Sequence, residues 1–155
     1  EITGLFLQQP VPRGLSPTET VKRIKDQGGL VSIPHPFDRF RRNVISEDGL
    51  KDILPYADII EVFNSRNNLK ASDREAEKFA NENGLVPSGV TDAHTLMELG
   101  RTYVEMGEFD GTPEGFMDSL KSGTIVGRRM SPLIHVATTL TKLEKRLTRP
   151  FRGGK

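Results

Sequence analysis

Short runs of branched apolar residues alternate along this chain with capped helical stretches, and that alternation restricts the fold more than any other feature. Ile2–Leu7 reads as a buried strand, broken by Gln8-Gln9-Pro10 and Pro12-Arg13-Gly14. Ser16-Pro17-Thr18-Glu19 then places serine at an N-cap, proline at the first helical position and glutamate at the third, opening a helix that Gly28-Gly29 stops. Leu30–Ile33 is the next strand, ended by Pro34. The pattern repeats with a helix near Asp48–Leu54, a strand at Asp58–Phe63, a helix from Lys70 to Asn83 closed by Gly84, and a strand at Val86–Thr91. A helical turn at Leu96–Leu99 precedes Thr102–Val104, Thr112-Pro113-Glu114 opens a helix through Leu120, and Thr124–Arg128 is a last short strand. Ser131-Pro132 then caps a long helix whose Leu133, Val136, Leu140, Leu143 and Leu147 make an apolar stripe. Core packing is the stronger reading of that stripe, and a partner seam the weaker.

Strands alternating with helices predict an α/β architecture with a mainly parallel sheet or a barrel, because strands covered on both faces read as continuous apolar runs. At 155 residues the chain has the length of one domain and can bury a core without a disulfide or structural metal. Cysteine is absent, which removes disulfides, thiolate metal sites and cysteine nucleophiles together and makes the cytoplasm the expected compartment. With 22 basic against 21 acidic residues, net charge gives no argument for nucleic acid. The tail is a local exception: Lys142, Lys145, Arg146, Arg149, Arg152 and Lys155 outweigh Glu144. A solvated helix face with a frayed end is the plainer reading of it. No apolar run reaches the roughly 20 residues that span a bilayer, so no membrane role is expected. The chain opens at Glu1, directly on an apolar strand, and reads as a piece of something longer.

In such folds ligands gather at the carboxyl ends of the strands. His35, Asn64, Asp92 and His94 each stand just beyond a predicted strand. Pro34 and Pro36 stiffen the chain around His35. Asp92 and His94, two apart, point the same way in an extended segment and so can address one metal or two adjacent ones. Imidazole with carboxylate is the donor set of a hydrolytic zinc or manganese site, although aspartate after a strand is also a common helix cap. Glu61 lies inside an apolar strand and needs a partner there. Asn64 and Arg66 at its exit suit a phosphate oxygen, or else belong to an asparagine-rich turn. Arg39, Arg41 and Arg42 form a basic loop fit to clamp an anion, or simply solvated. His135, inside the last helix, reads as structural. The glycine-rich phosphate loops and the Gly-x-Ser-x-Gly elbow are missing, which disfavours nucleotide folds of those types and a serine triad.

Taken together, Gly14-Leu15-Ser16-Pro17-Thr18-Glu19-Thr20-Val21, Gln27 to Asp38, Ile60 to Arg66 and Gly89 to His94 resemble the later half of PHP-domain proteins (polymerase and histidinol phosphatase), in order and over nearly the whole chain. The resemblance implies the later half of a distorted (β/α)7 barrel over residues 1–131, followed by a C-terminal helix and basic tail at 132–155. It also implies a cluster of up to three divalent ions (zinc, manganese or iron) and hydrolysis of small phosphate esters, nucleotides or nucleic acid ends. His35 matches the histidine of the family's His-Pro motif, and Asp92 and His94 match its late Asp-x-His ligands. Glu1 stands where the family strand often carries a ligand histidine; either it is an oxygen ligand or that metal position is altered. The family's early His-x-His pair and the ligands that follow it have no match here.

The resemblance therefore predicts a metal-dependent phosphoesterase, of which this chain supplies a partial, solvent-open site and is weakly active or inactive by itself. The alternative is a non-catalytic PHP-like binding or assembly module. A half barrel also has an open sheet edge, which a second copy of the chain can cover.

Overall fold

Serine and threonine hydroxyls start three of the four helices. Ser16 Oγ accepts the Glu19 N–H at 3.2 Å and opens α1 (Pro17–Lys25); Ser46 Oγ accepts from Gly49 at 3.1 Å and opens α2 (Glu47–Ile53). Thr112 Oγ1 accepts from Gly115 at 3.0 Å and opens α4 (Pro113–Lys121). The remaining helix, α3 (Lys70–Asn83), ends at Gly84, whose φ of +67° lets the chain turn off in the left-handed region. Between these lie β1 (Thr3–Leu5), β2 (Leu30–Ile33), β3 (Ile59–Asn64), β4 (Val86–Val90), β5 (Thr102–Glu105) and β6 (Thr124–Gly127). Single 3-10 turns sit at Leu54–Tyr56 and Leu96–Glu98. This computed structural model describes residues 1–41, 44–67 and 69–130; Arg42, His135, the leucine stripe with its expected long helix, and the basic tail lie outside them.

The strands form one sheet in the order β1-β2-β3-β4 and a separate two-stranded ribbon of β5 and β6. Parallel pairing joins β2 to β3 and β3 to β4, as the strand–helix alternation predicts. The expectation of a mainly parallel arrangement is corrected at both ends: β1 runs antiparallel to β2, and β5 antiparallel to β6. Leu5 sits beside Leu30, so the connection leaves and returns at one end of the sheet. The proline- and glycine-broken stretch after β1 carries the chain out and α1 brings it back.

Alternate residues of the strands feed two apolar layers, as the pleat requires. Val31, Ile33 and Ile60 pack with Val21 and Ile24 of α1, Leu50 and Ile53 of α2, and Ala80 of α3. On the other face, Leu30, Ile59 and Val86 pack with Leu120 of α4, flanked by Phe6, Phe116 and Met117. The sheet is thus covered on both sides, which is why its strands read as unbroken apolar runs.

The ribbon is fastened to the ends of β3 and β4. Thr91 Oγ1 donates to the Thr102 carbonyl at 2.7 Å and accepts from its N–H at 3.0 Å, Ser65 Oγ meets Thr102 Oγ1, and Met130 N–H donates to the Ser65 carbonyl at 2.8 Å. Close approach here depends on Gly89: a Cβ at that position would overlap Ile125 Cγ2 and lie 3.4 Å from Thr102 Cγ2. Gly89→Ala is therefore expected to cost about 1–3 kcal/mol by overpacking. Urea unfolding of the variant checks this, and an unchanged midpoint would show that the ribbon yields freely.

Candidate functional site

Three parallel strands deliver their carboxyl ends to one edge of the sheet, and the polar residues collect there. Beyond β2, Pro34 leads into His35, a buried residue with φ +29°; beyond β4, Asp92 has φ +54°. Positive φ in non-glycine residues is uncommon, and such backbone concentrates at functional sites. The reversed sense of β1 contributes as well, since it brings Glu1, at the amino end of that strand, to the carboxyl end of β2. Glu1 Oε2 lies 3.0 Å from His35 Nε2.

Glu61 of β3 is the centre of the arrangement. Its Oε2 accepts the His35 N–H at 3.0 Å and the Asn64 side-chain amide at 3.2 Å. Residues three apart on a regular strand face opposite ways; here the register shifts between Glu61 and Phe63, and that bulge turns Asn64 back towards Glu61. The Asn64 amide also reaches Asp92 Oδ2 at 3.4 Å. Burial lifts the Glu61 carboxyl to about 7, with the nearby Asp92 charge adding to the rise, although its two hydrogen bonds and Arg41 act against it. Burial holds the His35 imidazole below its usual range and the Arg41 charge adds to that, against Glu1 and Asp92.

The basic loop folds over this edge. Arg41 donates through Nε to Asp38 Oδ2 at 3.0 Å and through Nη2 to Asp92 Oδ2. Arg39, by contrast, is exposed, 3.8 Å from Glu75. Arg66 is buried away from any open rim, paired with the fully buried Glu98, whose other oxygen accepts the N–H groups of His94 and Thr95. Because Asp92 is left-handed, the segment to His94 is not the extended one that its spacing suggests. His94 Nδ1 instead sits 2.8 Å from the Asp92 backbone carbonyl and 3.9 Å from its Oδ1.

The structure thus brings Glu1, His35, Asn64, Arg41 and Asp92 together, with His94 beside Asp92, and leaves Arg39 and Arg66 apart. Asp38 and Glu98 are the residues that motif reading passed over. Glu98 had a visible signal, since Thr95-x-x-Glu98 has capping-box spacing, and its carboxylate reaches back to the Thr95 N–H at 2.7 Å. Asp38 had none beyond its place in the His-Pro segment.

Whether these side chains suit a metal is a question of donors and their commitments. Carboxylates and imidazoles are the right types, and His35 Nδ1 is buried with no hydrogen-bond partner among the described residues. Yet Asp92 is taken by Arg41 and Asn64, His35 Nε2 faces Glu1, and among the described residues no group of three or more acidic or imidazole side chains is disposed to hold an ion. As arranged, the residues do not form a metal cage.

The fold and its polar edge define a mixed α/β protein of the class that holds ligands where parallel strands end. Residues 71–125 match the family model described as PHP-associated. It is 33% identical over 136 residues to a protein of uncharacterised function from Methanocaldococcus jannaschii, an alignment that covers 80% of this chain and 56% of that one. A second protein from the same organism is 60% identical over 37 residues, 24% of this chain and 22% of its own. The chain therefore spans little more than half the length of the first relative. Among solved structures, PsfC from Pseudomonas syringae superposes with a TM-score of 0.60 at 17% identity, covering 88% of this chain and 55% of that one. A two-domain protein from Bacteroides vulgatus containing a predicted PHP-like metal-dependent phosphoesterase superposes with a TM-score of 0.60 at 16% identity, covering 91% and 45%. At those identities the likeness is one of fold. No helix among the described residues is long and apolar enough to cross a membrane.

Proposed function

We propose that this chain is the later part of a PHP-type barrel and that the whole protein hydrolyses phosphate esters with divalent metal. The observation that carries the reading is the gathering of Glu1, His35, Asn64 and Asp92 at one sheet edge, two of them at positive φ, in a chain whose residues 71–125 match the PHP-associated model. The similarity of the Bacteroides fold supports it. His35, Asp92 and His94 are the metal donors in this reading, with Glu1 as a further oxygen. Arg41, and Arg39 further out on the same loop, offer guanidinium to a phosphate on a small metabolite, a nucleotide or a nucleic acid end. Asn64 holds Asp92 in place through its amide.

One observation favours a second reading, a non-catalytic binding or assembly module: Asp92 is already neutralised by Arg41. Turnover separates the two. The full-length archaeal relative and this chain, each assayed on aryl phosphate mono- and diesters with manganese or zinc, should differ, the relative turning over and this chain being slow or silent. Replacing the relative's residue aligned with Asp92 should abolish its activity. A relative that is inactive with every metal and ester, or active regardless of that residue, would overturn the phosphoesterase reading in favour of the module.

A further inference from the structure

The turn that follows β4 is inside out. Its carboxylate, Glu98, is fully buried, while Leu96, Met97 and Leu99 around it are 85%, 78% and 63% exposed. The inversion is built into the turn. Glu98 accepts the N–H groups of His94 and Thr95 and pairs with buried Arg66, so charge and not a leucine takes the inward position. Leu99 N–H donates to the Leu96 carbonyl at 3.3 Å and Arg101 Nε to the Met97 carbonyl at 3.1 Å, which closes the turn with its apolar side chains outward. Single exposed apolar residues are ordinary, but a contiguous group on a braced turn marks a contact surface.

The described chain ends beside that turn. Arg128 N–H donates to the Arg101 carbonyl at 3.0 Å, Arg129 is held by Asp73 and the Asn67 carbonyl, and Met130 N–H donates to the Ser65 carbonyl at 2.8 Å. Residues 131–155 therefore start from a fixed point next to Leu96, Met97 and Leu99. Their sequence carries Leu133, Val136, Leu140, Leu143 and Leu147 at helical spacing, with Thr138 and Lys145 on the opposite side. The five steps from Arg128 to Leu133 reach about 17 Å when extended. The helix that this spacing predicts would carry the stripe about 21 Å further, enough to cross a single turn.

We propose that residues 131–147 dock through this stripe onto Leu96, Met97 and Leu99 of the same chain. Each surface is apolar and lacks a described cover, and the tether joins them. A short tether gives an effective concentration on the order of millimolar, which favours the chain's own segment over a second copy in dilute solution. The turn begins two residues beyond His94, so the docked segment also walls that end of the polar edge.

Native tryptophan and cysteine are both absent, so either can be introduced as a single reporter. Met97→Trp in the 155-residue chain should emit at shorter wavelength than a solvated indole, and adding Leu140→Gln with Leu143→Gln should return the emission to the red. A solvated emission from Met97→Trp alone would overturn the proposal. So would a blue-shifted emission that the glutamine pair leaves unchanged, or one present only at concentrations where sedimentation shows a dimer, because another segment or a second copy is then the cover. Cysteine pairs decide the matter if the glutamine variant does not fold. Met97→Cys with Val136→Cys, Leu140→Cys or Leu143→Cys should close an intramolecular disulfide under mild oxidation, whereas Met97→Cys with Thr138→Cys or Lys145→Cys should not. Equal yields from the two faces, or no disulfide from any pair, would sink the docking.

Discussion

Replacing Arg66 by methionine is expected to destabilise the chain by about 3–5 kcal/mol, because it strips the counter-charge from a carboxylate that water does not reach. Glu98 is 0% exposed and Arg66 5%. Burial by itself would raise the Glu98 carboxyl, but the N–H groups of His94 and Thr95, and then Arg66, outweigh it and hold the group below its ordinary value. Domains of this size are stable by only about 5–15 kcal/mol, so the loss is a large share of the total. At roughly 2–4 °C per kcal/mol it should lower Tm by about 6–20 °C. Converting both partners to apolar residues should recover only part of it, since the His94 and Thr95 N–H groups would then lack their acceptor, at about 1–3 kcal/mol each. Urea unfolding of Arg66→Met, Glu98→Leu and the double variant decides the matter. A loss under about 1 kcal/mol for Arg66→Met would mean that solvent screens the pair as it does on a surface.

That pair also marks the boundary of what could be read from residues alone. Element positions were legible where a local signal existed: α3 runs from Lys70 to Asn83 and stops at Gly84, and β2 runs from Leu30 to Ile33, because caps, glycines and apolar runs act within a few residues. Strand direction is invisible to periodicity, since the pleat looks the same either way, so the antiparallel sense of β1 was not legible. The bulge after Glu61 was hidden for a related reason: a register shift belongs to a pair of strands and not to one. In the candidate site the residue types were legible at strand exits, whereas their commitments were not. Arg41 and Asp92 are 51 positions apart, and Arg66 and Glu98 are 32 apart. Arginines that looked free for phosphate prove to have carboxylate partners that only the folded chain brings near.

Glu61 supplies the second large effect, which concerns pH. The folded chain holds the Glu61 proton until about 7, while an unfolded glutamate releases it near 4.5, burial being the main cause and the Asp92 charge adding to it. Between those values the folded state binds more protons than the unfolded, so stability falls as pH rises through the window and levels off above it. The full change amounts to roughly 3 kcal/mol at most. In chelator, urea unfolding of the native chain from pH 5 to 8 should show that decline. Glu61→Gln, whose amide oxygen keeps an acceptor for the His35 N–H and the Asn64 amide, should remove it and be the more stable protein at pH 8. Asp92→Asn takes away a charge that opposes ionisation of Glu61, so the decline should move to lower pH in that variant. A difference between native and Glu61→Gln that stays constant from pH 5 to 8 would refute the assignment, because it would place both ionisations, folded and unfolded, on the same side of the window.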